Sequence, residues 1–137
     1  LVEENLRLNF PHYKNHRSIN SDAIQYLKQS SQESYDLIVL DPPAYAKHQN
    51  VKHKAIQGYK RLNLEAIKAI GSPGILFTFS CSQVIDLSTF RSTVMAAAVL
   101  SGREARILHQ MTQPPDHPVN LFHPEGQYLK GLVVRID

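Results

Sequence analysis

The sequence predicts an α/β domain built on a mostly parallel sheet. Two short runs, residues 35–40 and 75–79, are apolar enough to be strands covered on both faces. The segments around them carry apolar residues at helical spacing. The length of 137 residues suits one domain with a real core. Hydrophobic residues make up 42% and charged residues 20%, which excludes a disordered acidic tail, a coiled coil and a collagen-like fibre. The longest apolar run, residues 94–100, falls far short of the roughly 18 residues that cross a bilayer, and no basic-then-apolar signal opens the chain. A cytoplasmic protein without a membrane partner is expected. The single cysteine, Cys81, excludes an intramolecular disulfide and a cysteine-based zinc cage. A net charge of +3 permits a polyanionic partner without demanding one.

Taken in order, residues 1–8 read as a helix with Glu3, Glu4 and Arg7 on its polar face and no cap residue before it. Residues 17–20 fit a short strand. Ser21 or Asp22 can then cap a helix over 22–30 that sets Ala23, Ile24 and Leu27 on one side. The strand over 35–40 stops at Asp41-Pro42-Pro43. A helix over 59–70 carries the stripe Leu62, Ala66, Ile67 and Ile70, and the Gly-Ser-Pro-Gly turn at 71–74 ends it before the strand over 75–79. A third helix spans 87–101, with Leu87, Phe90, Val94 and Ala98 aligned. Residues 105–110 and 128–136 are the last two strands, the first with weak alternation. The proline- and histidine-rich loop between them, 111–127, exceeds the roughly 12 residues beyond which loops tend to be lids or binding loops. No repeat, low-complexity tract or interdomain linker is visible.

Ligands of open α/β sheets bind beyond the carboxyl ends of the strands, which directs attention to residues 41–43 and 80–82. Asp41 follows a strand, and two prolines fix the chain direction after it. It can accept from a ligand amino group or cap a helix begun by Pro42. Cys81, in Ser80-Cys81-Ser82, is placed for the crevice as a nucleophile, or is a buried inert thiol. Between residues 44 and 64, Lys47, Lys52, Lys54, Lys60 and Arg61 stand with Tyr45 and Tyr59 and no acidic residue. That segment fits a phosphate backbone with tyrosines stacking on bases, or a solvated basic loop. Asp116, His117 and His123 lie in a loop with no helix to fix ligand spacing, so no metal site is expected. The six glycines are scattered and form neither a dinucleotide-binding nor a P-loop fingerprint.

An ordered set of motifs narrows these choices: Asp41-Pro42-Pro43, then Gly58-Tyr59-Lys60-Arg61-Leu62-Asn63, Phe77-Thr78-Phe79-Ser80-Cys81-Ser82, Asp116-His117-Pro118 and Pro124-Glu125-Gly126-Gln127-Tyr128-Leu129-Lys130-Gly131. Together they resemble the large-subunit rRNA cytosine-C5 methyltransferases. These are class I S-adenosylmethionine enzymes with an N-terminal PUA domain, a linking domain and a C-terminal Rossmann-like catalytic domain. The resemblance covers essentially the whole chain. It implies that residues 1–137 are the C-terminal part of the catalytic domain, truncated so that the first two strands of the sheet order 3-2-1-4-5-7-6 are missing. The glycine-rich cofactor loop and the ribose-binding acid have no counterpart in the sequence.

The resemblance also implies roles. Asp22 would face the cofactor's adenine amino group, Asp41 and Pro42 would sit beside the methyl donor and target base, and Cys81 would be the nucleophile. Ribosomal RNA would be the partner, met by Lys47, Lys52, Lys54, Tyr59, Lys60 and Arg61. By itself the chain would bind S-adenosylmethionine weakly or not at all, be inactive, and dimerise through the sheet edge left open at residues 35–40. Asp-Pro-Pro with a nearby aromatic also resembles amino-directed methyltransferases, so an N-methyltransferase of guanine or adenine is the alternative enzyme. A noncatalytic RNA-binding module is the alternative of another class.

Overall fold

The computed structural model describes residues 1–30, 35–45 and 48–137. Its elements run α1 (Val2–Asn9), α2 (Ala23–Gln29), β1 (Tyr35–Leu40), α3 (Lys52–Ala69), β2 (Ile70–Ser80), α4 (Leu87–Ser101), β3 (Ala105–Met111) and β4 (Lys130–Ile136). The four strands form one sheet in the order β1-β2-β4-β3. β1 and β2 are parallel, and β4 runs antiparallel between β2 and β3. The expected α/β class is therefore observed, as a mixed sheet with one reversed strand.

The core lies on one face of that sheet. Leu40, Leu76, Leu132, Val134 and Ile136 meet Tyr59, Leu62, Ala66 and Ile67 of α3 and Phe90, Val94 and Ala97 of α4, all nearly inaccessible to water. Residues at every third or fourth position on the helices and every second on the strands supply this layer, as the two backbone periods require. The ends of α4 are well defined. Asp86 accepts from the Thr89 amide at 2.7 Å at the start, and Gly102, with φ of 70°, supplies the left-handed residue that ends the helix.

Several expectations are corrected. Among the described residues 17–20 form no strand; Ser18 instead bonds His16 at 2.8 Å and Glu3 at 2.5 Å, and a strand without a neighbour has no ladder to join. β1 is not covered on both faces. Leu37 is 52% and Val39 58% exposed, because α2, α3 and α4 gather on the other side, where Leu40 is buried. Residues 71–74 belong to β2, as an irregularity in its pairing with β1 between the Tyr35–Ile70 and Leu37–Ile75 partners. α3 starts seven residues earlier than its apolar stripe suggested, so part of the basic segment is helical.

Among the described residues no helix is long and apolar enough to cross a membrane.

Candidate active site

β1 and β2 run side by side in the same direction, so Asp41 and Cys81 leave the sheet at the same end. The structure brings them into one cavity of about 440 Å³. Asp41, Pro42, Pro43 and Cys81 form one part of its lining, and Gln113, Pro114, Asp116, His117, Tyr128 and Leu129 from the long loop and the approach to β4 form the rest. The helix-cap reading of Asp41 falls, since residues 42–44 are not helical and α3 begins only at Lys52. Asp41 is exposed at the cavity, and its carboxylate is open to accept from a ligand there. Cys81 is half-buried and free.

The loop is held by its own side chains. Gln113 donates to the His117 carbonyl at 3.2 Å and accepts from the Tyr128 amide at 3.0 Å, drawing both ends of the segment together. Gln83, two residues past Cys81, donates to the Glu125 carbonyl at 3.1 Å. Lys130 reaches the Ser82 and Tyr128 carbonyls at 2.7 and 2.6 Å. Sequence reasoning gave Gln113, Tyr128, Leu129 and Lys130 no role. Their signal was the unusual length of the loop and the motif at its end.

Behind Cys81 the packing is aromatic. The rings of Tyr45 and Tyr59 meet edge to face at 4.7 Å, and Tyr59 meets Phe90 at 5.7 Å. Gly58 makes that possible, because a Cβ there would stand 3.2 Å from the Tyr45 ring. Tyr59 is 1% exposed, which removes it from the residues able to stack on a base. Burial raises its pKa above the usual phenol value, against the Ser80 hydroxyl beside it. Tyr45 is also raised, by burial and then by the charge of Asp22. Asp22 therefore lies within electrostatic reach of Tyr45, although it does not line the cavity; one carboxylate oxygen caps α2 by accepting from the Gln25 amide at 2.9 Å.

The basic residues do not converge on the cavity. Lys54 and Arg61, seven apart, share the solvent face of α3. Lys52 pairs with Asp86 at 3.6 Å, and Lys60 lines a groove between α3 and α4. Lys47 lies outside the described residues. A larger cavity of about 570 Å³, between α4 and the β3–β4 pair, is lined mainly by aliphatic side chains with Arg91 and Arg103 at its margin. Among the described residues no group of three or more His, Cys, Asp or Glu could hold a metal ion.

Comparison with known proteins gives this geometry a context. No family model matches the chain. It is 42% identical over 137 residues to Ribosomal RNA large subunit methyltransferase I of Tolumonas auensis, a match covering 98% of this chain and 34% of that protein. The corresponding protein of Aeromonas salmonicida is 39% identical over 137 residues, covering 98% of this chain and 35% of that one. Its relatives are ribosomal RNA methyltransferases. The chain spans about a third of their length. Among solved structures, a protein described as a methyltransferase and crystallised with SAH superposes with a TM-score of 0.80 over 97% of this chain and 35% of that one. At 20% identity that likeness shows a shared fold.

Proposed function

We propose that the chain is the base-facing part of an S-adenosylmethionine-dependent rRNA methyltransferase, transferring methyl to C5 of a cytosine in 23S rRNA through a covalent Cys81 adduct. The observation that carries this reading is the meeting of Asp41, Pro42 and Cys81 in one cavity at the carboxyl ends of two parallel strands. The homology to ribosomal RNA methyltransferases supplies the substrate class. The order β1-β2-β4-β3, with only β4 reversed relative to the rest, is what strands 4-5-7-6 of a class I sheet would leave, and so supports a truncated Rossmann-like domain.

The residues present fit part of the cofactor. Asp22 spends one carboxylate oxygen on its helix and keeps acceptor capacity in solvent, the chemistry an adenine amino group needs. Asp41 and Pro42 would hold the methionine end near the base. When bound, S-adenosylmethionine supplies an electrophilic methyl group. The sequence contains no glycine-rich loop to complete the pocket, so the chain alone should bind the cofactor weakly.

C5 of cytosine is a poor nucleophile, and Cys81 corrects that. Its thiolate electron pair would form a bond to C6 and push the ring's C5–C6 π pair onto C5, which would take the methyl group as the donor's sulfur–methyl bond breaks and that bonding pair stays on sulfur. A base then takes the C5 proton, the C–H pair restores the double bond, and the C6–S bond breaks to return the thiolate. Asp41 accepts from the base's amino edge and orients it. The cytosine must be unstacked to enter. Lys52, Lys54, Lys60 and Arg61 offer a sequence-independent track for the RNA backbone away from the cavity.

The test uses the enzyme extended to the length of its relatives, labelled S-adenosylmethionine and unmodified rRNA, with digestion and nucleoside mass spectrometry. 5-Methylcytosine that disappears in Cys81→Ala is expected. A methylated amino group that survives the substitution would refute the covalent reading in favour of an N-methyltransferase. Absence of transfer to any RNA would favour a binding module.

A further inference from the structure

Lys130 opens β4 directly across from Ser80, the last residue of β2. Its side chain crosses the turn that carries Cys81, and the ammonium donates to the Ser82 carbonyl at 2.7 Å and the Tyr128 carbonyl at 2.6 Å. The first oxygen belongs to the residue next to Cys81. The second belongs to a residue that lines the same cavity as Cys81. Two carbonyl acceptors hold a charged donor more firmly than a neutral amine, and they fix its position beside the turn.

We propose that Lys130 is the positioning residue for Cys81, its anchored ammonium favouring the thiolate over the thiol. The inference rests on the reading of Cys81 as the nucleophile. A free thiol titrates near about 8.5, so a cysteine that attacks at neutral pH gains from a nearby cation. Burial lowers the Lys130 pKa from its ordinary value, and the charges of Cys81 and then Asp86 oppose that; the bond to the Ser82 carbonyl sets the ammonium beside the residue that follows Cys81. The other titratable groups around Cys81 come from three elements. Asp41 follows β1; Asp116, His117 and Tyr128 come from the loop; Tyr59 comes from α3. Asp41 and Asp116 oppose a second negative charge, and His117 is a cation only when protonated. Among these groups, Lys130 is the one lysine or arginine.

The test reads alkylation of Cys81 by iodoacetamide against pH, with peptide mass spectrometry to assign the site, in the full chain and in Lys130→Met, Lys130→Gln and Lys130→Arg. Circular dichroism establishes that each is folded; Gln, which keeps amide donors for the two carbonyls, is read if Met is not. The midpoint is the readout, because thiolate nucleophilicity rises as its basicity rises and partly offsets a change in rate. The uncharged variants should move the midpoint to higher pH, since the loss of a nearby cation disfavours the thiolate. Arg should restore it. A step belonging to His117 would stay in place in all four proteins. A midpoint unchanged in both uncharged variants, or one that stays raised in Lys130→Arg, overturns the proposal. Alkylation requires neither RNA nor cofactor, so this result is separable from the nucleophile reading. A shifted midpoint together with methyl transfer that survives Cys81→Ala would retain the coupling and reject Cys81 as nucleophile.

Discussion

Arg103 ties the end of α3 to the start of β3, and its removal is the sharpest stability test this fold offers. Its guanidinium donates to the carbonyls of Ile67 at 2.9 Å, Gly71 at 3.0 Å and Asp137 at 3.4 Å, and also to that of Ile70. Ile67 and Ile70 sit at the carboxyl end of α3, where carbonyls lack intrahelical partners and the helix dipole favours a cation. Arg103→Ala leaves all four oxygens to water or to nothing. A hydrogen bond to a charged group contributes about 1.5–3 kcal/mol. The side chain is only half-buried, so water reaches part of the site and the four bonds do not add. The expected loss is about 2–3 kcal/mol, close to one strong bond rather than four. At about 3 °C per kcal/mol for a domain of this size, the melting temperature should fall by roughly 6–9 °C. Arg103→Lys should recover less than half, since one ammonium cannot span the oxygens that a planar fork reaches. Urea unfolding followed by circular dichroism measures both variants. A loss in Arg103→Ala below about 0.5 kcal/mol, the range of ordinary surface substitutions, would refute the reasoning.

Further substitutions probe the site's surroundings. The Tyr59 hydroxyl is buried near Ser80 and the Tyr45 backbone, yet among the described residues it reaches neither in hydrogen-bond geometry, so Tyr59→Phe should be neutral or stabilise by up to about 1 kcal/mol in a thermal melt; a drop of that size would mean that the Ser80 contact is a formed hydrogen bond in solution. Gly131→Ala would place a Cβ 2.6 Å from the Phe79 ring, and should cost about 1–3 kcal/mol in chemical denaturation. Hydrogen bonding from the Thr89 amide holds the Asp86 carboxyl below its ordinary pKa, so its contribution is complete above the usual carboxylate range and is lost as pH falls through the lowered value. Asp86→Ala should therefore cost about 1 kcal/mol at neutral pH, with a gap from the parent that closes in acid melts. β1 pairs only with β2 among the described residues, and exposed Leu37 and Val39 lie beside its open edge. The chain alone should form dimers in light scattering at high concentration; a strictly monomeric species would count against that.

Local signals located most of the elements. The apolar stripe placed α4 at residues 87–101, as the structure has it, because helical periodicity is a property of neighbouring residues; that Asp86 caps it is a finding of the structure. The same locality marked 41–43 and 81 as strand ends. It failed where partners decide. Nothing within residues 17–20 could show that no strand lies beside them, and nothing within 35–40 could show that Leu37 and Val39 would face open solvent. The amphipathic character of α3 hid that Tyr59 points inward among Tyr45 and Phe90 rather than toward a base.

The sequence by itself determined the class of fold, the two strand ends that carry Asp41 and Cys81, and the ordered motifs that resemble an RNA methyltransferase, since each is written in adjacent residues. Only the tertiary structure decided that Asp41 and Cys81 share one cavity, that the loop before β4 lines it and is held by Gln113, and that Lys130 lies against the Cys81 turn. The cavity gathers residues up to 88 positions apart, from Asp41 to Leu129, and depends on β4 inserting antiparallel beside β2. Strand order and register are set by the packing of the whole sheet against its helices, which no local window contains.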